Sequence, residues 1–306
     1  MNNAASKDEE QTRPSLQSTR QGESGVRSFV RLFVRNRNAV FGLAIVLFFV
    51  VLAVIGDLLT PYGVYDSARL DVRLQGPSSD HWLGTDDVGR DLLSRLMFAS
   101  RLSLVAALQA VTVAMVIGIP LGLIAGYYGG RIDTVLMRLT DTIMVFPTLI
   151  LAIAIVAVLG AGLTNAMIAI GLTFSPYFAR IVRGSTLAAR EEAYVEASWQ
   201  LGASTPRLLV RHILPNIVSP ILVETTLSLG KAIIAEASLS FLGLGARPPE
   251  ASWGSMLRRG FGFVRESPSG TVIVGCLIVV VVLSFNMIGD ALRAAIGREV
   301  HSGDQG

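Results

Sequence analysis

Charge is what this 306-residue chain has least of: Asp, Glu, Lys and Arg supply 16% of its residues, against roughly a quarter in an ordinary soluble domain. That shortage argues against a water-exposed globule and makes a membrane protein the default class. Cysteine is nearly absent. Cys276 alone cannot form an intrachain disulfide, so redox compartment cannot be inferred; inside its apolar run it reads as packing. The net charge of +3 comes from basic residues that flank apolar runs rather than gather on one face, which excludes nucleic-acid binding. No nucleophile or metal constellation is visible, so no catalytic residue and no metal site is assigned. Gly230-Lys231 has Thr225 where a phosphate loop needs its first glycine and Ala232 where it needs Ser or Thr, so the chain is expected to bind no nucleotide.

What is abundant is apolar: 51% of residues are hydrophobic. They gather into runs at 39–55, 102–125, 142–159, 166–182, 217–244 and 271–291, against the roughly 20 residues that cross about 30 Å of hydrocarbon. An all-α integral membrane fold with six transmembrane helices is therefore expected. Pro120, Pro147, Pro176 and Pro220 are expected to kink these helices without breaking them.

Residues 1–25 hold few large apolar side chains and read as a disordered cytoplasmic tail. Residues 26–56 form the first span with a basic flank, 57–100 an extracytoplasmic loop, 101–292 a five-helix core, and 293–306 a cytoplasmic tail. Arg31, Arg35 and Arg37 before the first run imitate a signal peptide, but the run is long and no small-x-small cleavage site follows. Basic flanks stay on the cytoplasmic side. Arg27, Arg31, Arg35 and Arg37 place the N-terminus inside, and Arg293 and Arg298 place the C-terminus there too. Arg247, Arg258, Arg259 and Arg265, in the last outer loop, run against this pattern.

The stretch 185–216, between the fourth and fifth spans, reads as two short helices. The first covers 191–201; Gly202 stops it, and Ser204 or Thr205 caps the second, with Pro206 at its first position. Read blandly, this is a surface helix pair with a glycine hinge. Yet Glu196-Ala197-Ser198, three residues, Gly202, nine residues, then His212-Ile213-Leu214-Pro215 resembles the EAA loop of ATP-binding-cassette import permeases, with Ser198 replacing an alanine and His212 an isoleucine. The segment HWLGTDDVGRDLLSR at 81–95, LIAGYYGG at 123–130 and SFLGLG at 240–245, followed by Pro248-Pro249 and Trp253-Gly254, are similar to dipeptide and oligopeptide permeases of the C-subunit type.

The resemblance implies a type I ABC importer permease fold whose EAA segment is a coupling helix, carried here by Glu192, Glu196, Ala197, Ser198, Gly202, Leu214 and Pro215. It implies a second permease subunit in a heterodimer, two cytoplasmic ATPase subunits that use ATP and Mg, and an extracytoplasmic substrate-binding protein that meets the region of His81, Asp86, Asp87 and Arg90. Dipeptides or oligopeptides are the expected substrates; related subunits import nickel or other small solutes. By residue chemistry, His81 with Asp80, Asp86 and Asp87 invites a metal reading, but Asp86-Asp87 is better taken as the acidic start of an amphipathic helix whose Leu92, Leu93, Leu96 and Met97 face lipid or a partner. Glu224, Lys231 and Glu236 interrupt the fifth span and should face protein or water. They form an ion-paired interior, or Glu224, Thr225, Ser228 and Lys231 line the translocation path. An ion-coupled secondary transporter is the rival, but no convincing repeat relates the two halves.

Overall fold

The computed structural model describes residues 33–60, 62–63 and 69–303. The tail expected over 1–25 lies outside these residues, as do Arg27 and Arg31. Helix α1 is Arg37–Leu59, opened by Asn36, whose Oδ1 accepts from the backbone N–H groups of Asn38 and Ala39. There follow α2 (Leu92–Tyr128), α3 (Gly130–Met144), α4 (Thr148–Leu159), α5 (Leu163–Arg190) and α6 (Ala193–Gln200). The chain then winds through Thr205–Arg207, a π-helical Leu208–Ile213 and Leu214–Asn216 into α7 (Val218–Phe241), α8 (Trp253–Gly262) and α9 (Pro268–Gly303). Among the described residues, β-pairing is limited to an isolated bridge between Thr85 and Asp91.

Among the described residues, five helices are long and apolar enough to cross a membrane: α1, α2, α5, α7 and α9. The third run is not the single helix expected over 142–159. It is shared between α3 and α4, which meet at a 92° bend and make a sixth span only when taken together. Pro147 is the reason, because its ring disfavours helical backbone at the preceding Phe146. It breaks the helix rather than kinking it, and α4, at 12 residues, is about 18 Å long. Pro120 and Pro176 sit inside continuous helices. Pro220 lies in the first turn of α7, where an N–H has no intrahelical acceptor in any case.

Three further expectations change. Helix α2 begins at Leu92 rather than at 102, and its cap is Asp91, so Asp86 and Asp87 lie in the preceding turn and not at a helix start. Leu92 and Leu96 are buried in the chain's own core instead of facing lipid. The expected terminal tail continues α9 as helix as far as Gly303. Cys276 lies on the exposed side of α9, outside the core.

The centre of the bundle is the α2–α5 pair. Gly118, Gly122 and Gly126, four residues apart, stand against the α5 backbone: a Cβ on each would lie 2.5, 2.6 and 2.7 Å from the carbonyl oxygens of Ser175, Ala179 and Arg183. Gly171 returns the contact, 2.6 Å from the Ala110 oxygen. In lipid, where apolar side chains gain nothing by leaving solvent, such close backbone approach is what holds helices together. Around this pair α1 packs on α2 and α9, and α7 packs on α2, α5 and α9.

Candidate functional site: the helical elbow and the polar face of α7

Helix α6 and the winding segment after it form an elbow held from beneath. Val195, Leu208 and Ile213 are buried in one cluster with Leu123 of α2 and Val182 and Ala189 of α5, so the elbow is packed against both spans. Gly202 turns the chain with φ +83°, its N–H donating to the Trp199 carbonyl and that of Ala203 to the Ser198 carbonyl. Ser204 precedes the next turn but gives no side-chain cap, and that turn passes into the π-helical stretch in place of a second regular helix. Helix α6 itself covers 193–200, two residues shorter at its start and one at its end than 191–201.

Above this anchor the elbow is open. Glu192, Glu196, Ala197, Gly202 and Pro215 are exposed, Ser198 and Leu214 half-buried. Two large apolar side chains stand among them without cover, Trp199 at 64% and Leu201 at 89% exposure, with Tyr194 partly covered beside them. Exposed apolar patches rimmed by charge mark protein or membrane contacts. Burial raises the Tyr194 phenol above its ordinary pKa, the Glu192 charge adds to this, and a hydrogen bond with the Asn216 side chain opposes it. Ser198 donates to the Tyr194 carbonyl at 2.7 Å and the Gln200 amide to Glu196 at 3.4 Å, both within α6.

On α7, Glu224 is buried and Ser228 donates to its Oε1 at 2.9 Å. Lys231 reaches back two turns to place Nζ 3.5 Å from the same oxygen and 5.4 Å from the centre of the Tyr177 ring. Thr225 is spent on its own helix, donating to the Ile221 carbonyl at 2.7 Å. Glu236 is fully buried and belongs to a separate network. It accepts from Ser240 at 2.7 Å and from Ser103 of α2 at 3.5 Å, while the Ser103 Oγ accepts from the Trp253 backbone at 3.0 Å. This ties α2, α7 and the start of α8 at one end of the bundle, where the indole of fully buried Trp253 donates to the Leu96 carbonyl at 3.4 Å.

The loop before α2 is held by its acidic residues. Asp91 caps α2, accepting from the Ser94 backbone and hydroxyl at 2.8 Å each, and lies 3.0 Å from Nδ1 of buried His81. Asp86 accepts from the backbone of Val88 and Arg90 and from the Arg90 guanidinium at 2.9 Å, with Arg95 at 3.4 Å. Asp87 lies 3.7 Å from Arg259 of α8. Trp82, beside His81, is 72% exposed. Sequence reasoning missed the clamp between α3 and α5, in which Arg183 binds Asp133 in a two-pronged pair and Arg180 binds Asp141 at 2.6 Å. Partners 50 and 39 positions apart leave no local signal.

Comparison with known proteins agrees with this architecture. Residues 118–301 match the model of the binding-protein-dependent transport system inner membrane component, and residues 25–77 the N-terminal TM domain of oligopeptide transport permease C. The chain is 45% identical to the dipeptide transport system permease protein DppC of Alkalihalophilus pseudofirmus, over 88% of each chain. It is 42% identical to the glutathione transport system permease protein GsiD of Pectobacterium atrosepticum, over 90% of this chain and 92% of that one. Among solved structures, an inward-facing MetNI methionine ABC transporter chain shares the fold, with a TM-score of 0.53 at 21% identity over 67% of this chain and 96% of its own. With a helical bundle, an anchored elbow and relatives matched along most of its length, this chain belongs to the family of binding-protein-dependent transport system inner membrane components, the multi-pass permease subunits of ABC importers.

Proposed function

We propose that this chain imports dipeptides or other short peptides, as one half of a permease heterodimer driven by two cytoplasmic ATPase subunits and supplied by an external substrate-binding protein. What carries the proposal is the elbow: a short helix fixed below by Val195, Leu208 and Ile213 and bare above at Trp199 and Leu201. A rigid lever with an uncovered apolar face fits a groove on an ATPase subunit, with Glu192, Glu196, Ala197 and Ser198 at the contact, Gly202 setting the angle, and Leu214 and Pro215 leading back into α7. ATP and Mg belong to those partners, and this chain contributes no catalytic residue. Both termini are cytoplasmic in this reading. On the outside, His81, Asp86, Asp87 and Arg90 shape the loop that receives the binding protein, with Trp82 as its exposed side chain. Glu224, Ser228 and Lys231 line the translocation path, with Thr225 beside them. The peptide class is supported by the names of the relatives, dipeptide and glutathione permeases.

The test is uptake of a labelled dipeptide by cells carrying the complete transporter, with ATP depleted while the proton gradient is maintained. Uptake should stop. Continued uptake would mean an ion-coupled transporter and overturn the proposal.

A further inference from the structure

Lys231 is an anomaly. It sits near the middle of α7, a membrane-crossing helix, yet its side chain is 52% exposed. An ammonium facing lipid there costs about 2.5 to 3.5 kcal/mol on insertion scales, so this face of α7 meets protein or an aqueous path. Its neighbours explain how the charge is tolerated without being used up. Because side chains on a helix lean toward its N-terminus, Lys231 reaches toward Glu224, seven residues earlier. Its distance of 3.5 Å exceeds the 2.7–2.9 Å or so of a well-seated charged hydrogen bond. Ser228 already occupies that carboxylate oxygen at 2.9 Å, and Glu224 is buried behind it. Tyr177 of α5 offers its ring at 5.4 Å on another side. The result is a cation with an electrostatic backing, an aromatic wall and donors still open on the exposed side.

We propose that Lys231 is a transit site for the carboxylate of the transported peptide, held by the ammonium on its exposed side, away from Glu224 and the Tyr177 ring. This rests on the reading of the chain as a peptide import permease. The relatives' named cargoes differ in size and side chains, but a dipeptide and glutathione both carry free carboxylates. A single fixed cation can therefore serve them all, without side-chain specificity. Because Glu224 stays behind, the peptide's carboxylate is drawn by a pair that is already partly neutralised, and the site holds its cargo weakly enough to release it.

The experiment uses the complete transporter in proteoliposomes, with saturating binding protein loaded with a free-acid dipeptide. Uptake, ATP hydrolysis and subunit copurification are measured for the wild type, Lys231→Met and Lys231→Arg. Losing one hydrogen bond between charged groups should lower maximal uptake by about tenfold or more in Lys231→Met. Lys231→Arg should keep most of it, and binding-protein-stimulated hydrolysis should persist in both, so that hydrolysis in Lys231→Met runs without uptake. Undiminished uptake by Lys231→Met overturns the proposal. So does loss of copurification and hydrolysis with uptake in Lys231→Met alone, which would make Lys231 a contact to an acidic group of the second permease. If the wild-type complex itself takes up no peptide, the peptide reading fails instead, a result distinct from either.

Discussion

Two glycines of the same chain show how a residue's effect is set by what stands opposite it. On α2, Gly122 has the Ala179 carbonyl oxygen 2.6 Å from where its Cβ would be, and the backbone cannot yield without parting α2 from α5. On α5, Gly184 has nothing within 4 Å. Gly122→Ala should therefore destabilise the protein by about 1 to 3 kcal/mol, the usual cost of overpacking. Gly184→Ala should stabilise it by up to about 1 kcal/mol through helix propensity alone. Thermal unfolding of the detergent-purified variants checks this, and equal shifts of the same sign would show that the α2–α5 contact is looser than described. Residue-level reading of the sequence placed Glu236 correctly as an inward-facing charge, because an isolated carboxylate in a span has few other options. It could not name Ser103 as a partner, 133 positions away.

At the scale of elements, the elbow depends on one left-handed residue. With φ at +83° and open space around its missing Cβ, Gly202 is limited by backbone conformation and not by crowding. A side chain there costs about 1 to 2 kcal/mol of local strain, which the elbow relieves by changing the angle between α6 and the turns that follow. Asn tolerates this region better than a β-branched residue. Gly202→Asn should thus retain more binding-protein-stimulated ATP hydrolysis than Gly202→Val, with both variants inserted in the membrane at wild-type levels. The reverse order in an ATPase assay of the assembled complex would remove the hinge role. The first short helix and its glycine stop were legible because a stop is a local signal. The π-helical stretch Leu208–Ile213 was not, since it arises where Leu208 and Ile213 must both enter the cluster under the elbow.

At the scale of the whole molecule, orientation decides which face meets which partner. In the proposed orientation two exposed tryptophans lie on opposite sides: Trp82 in the loop before α2, and Trp199 on the elbow. In a Cys276→Ser background, Trp82→Cys should react with an impermeant thiol reagent in right-side-out vesicles, and Trp199→Cys only in inverted ones. Reaction of both from one side would contradict the arrangement, since an odd number of crossings separates them. That number includes the α3–α4 pair as one crossing, so the same experiment tests whether the bent pair traverses the bilayer.

Composition and the length of the apolar runs were enough to establish a helical membrane protein, because the cost of burying backbone in hydrocarbon leaves helices as the way to satisfy long apolar runs. The EAA-like spacing was likewise readable, since a glutamate, a glycine, a leucine and a proline occupy fixed positions along the chain. What only the tertiary structure decided were matters of contact at long separation. These are the glycine seam that sets the distance between α2 and α5, the right-angled break at Pro147, and the placing of Lys231 between Glu224 and Tyr177. Each depends on which face of one helix another covers, and packing between distant segments leaves little trace in the local sequence of either.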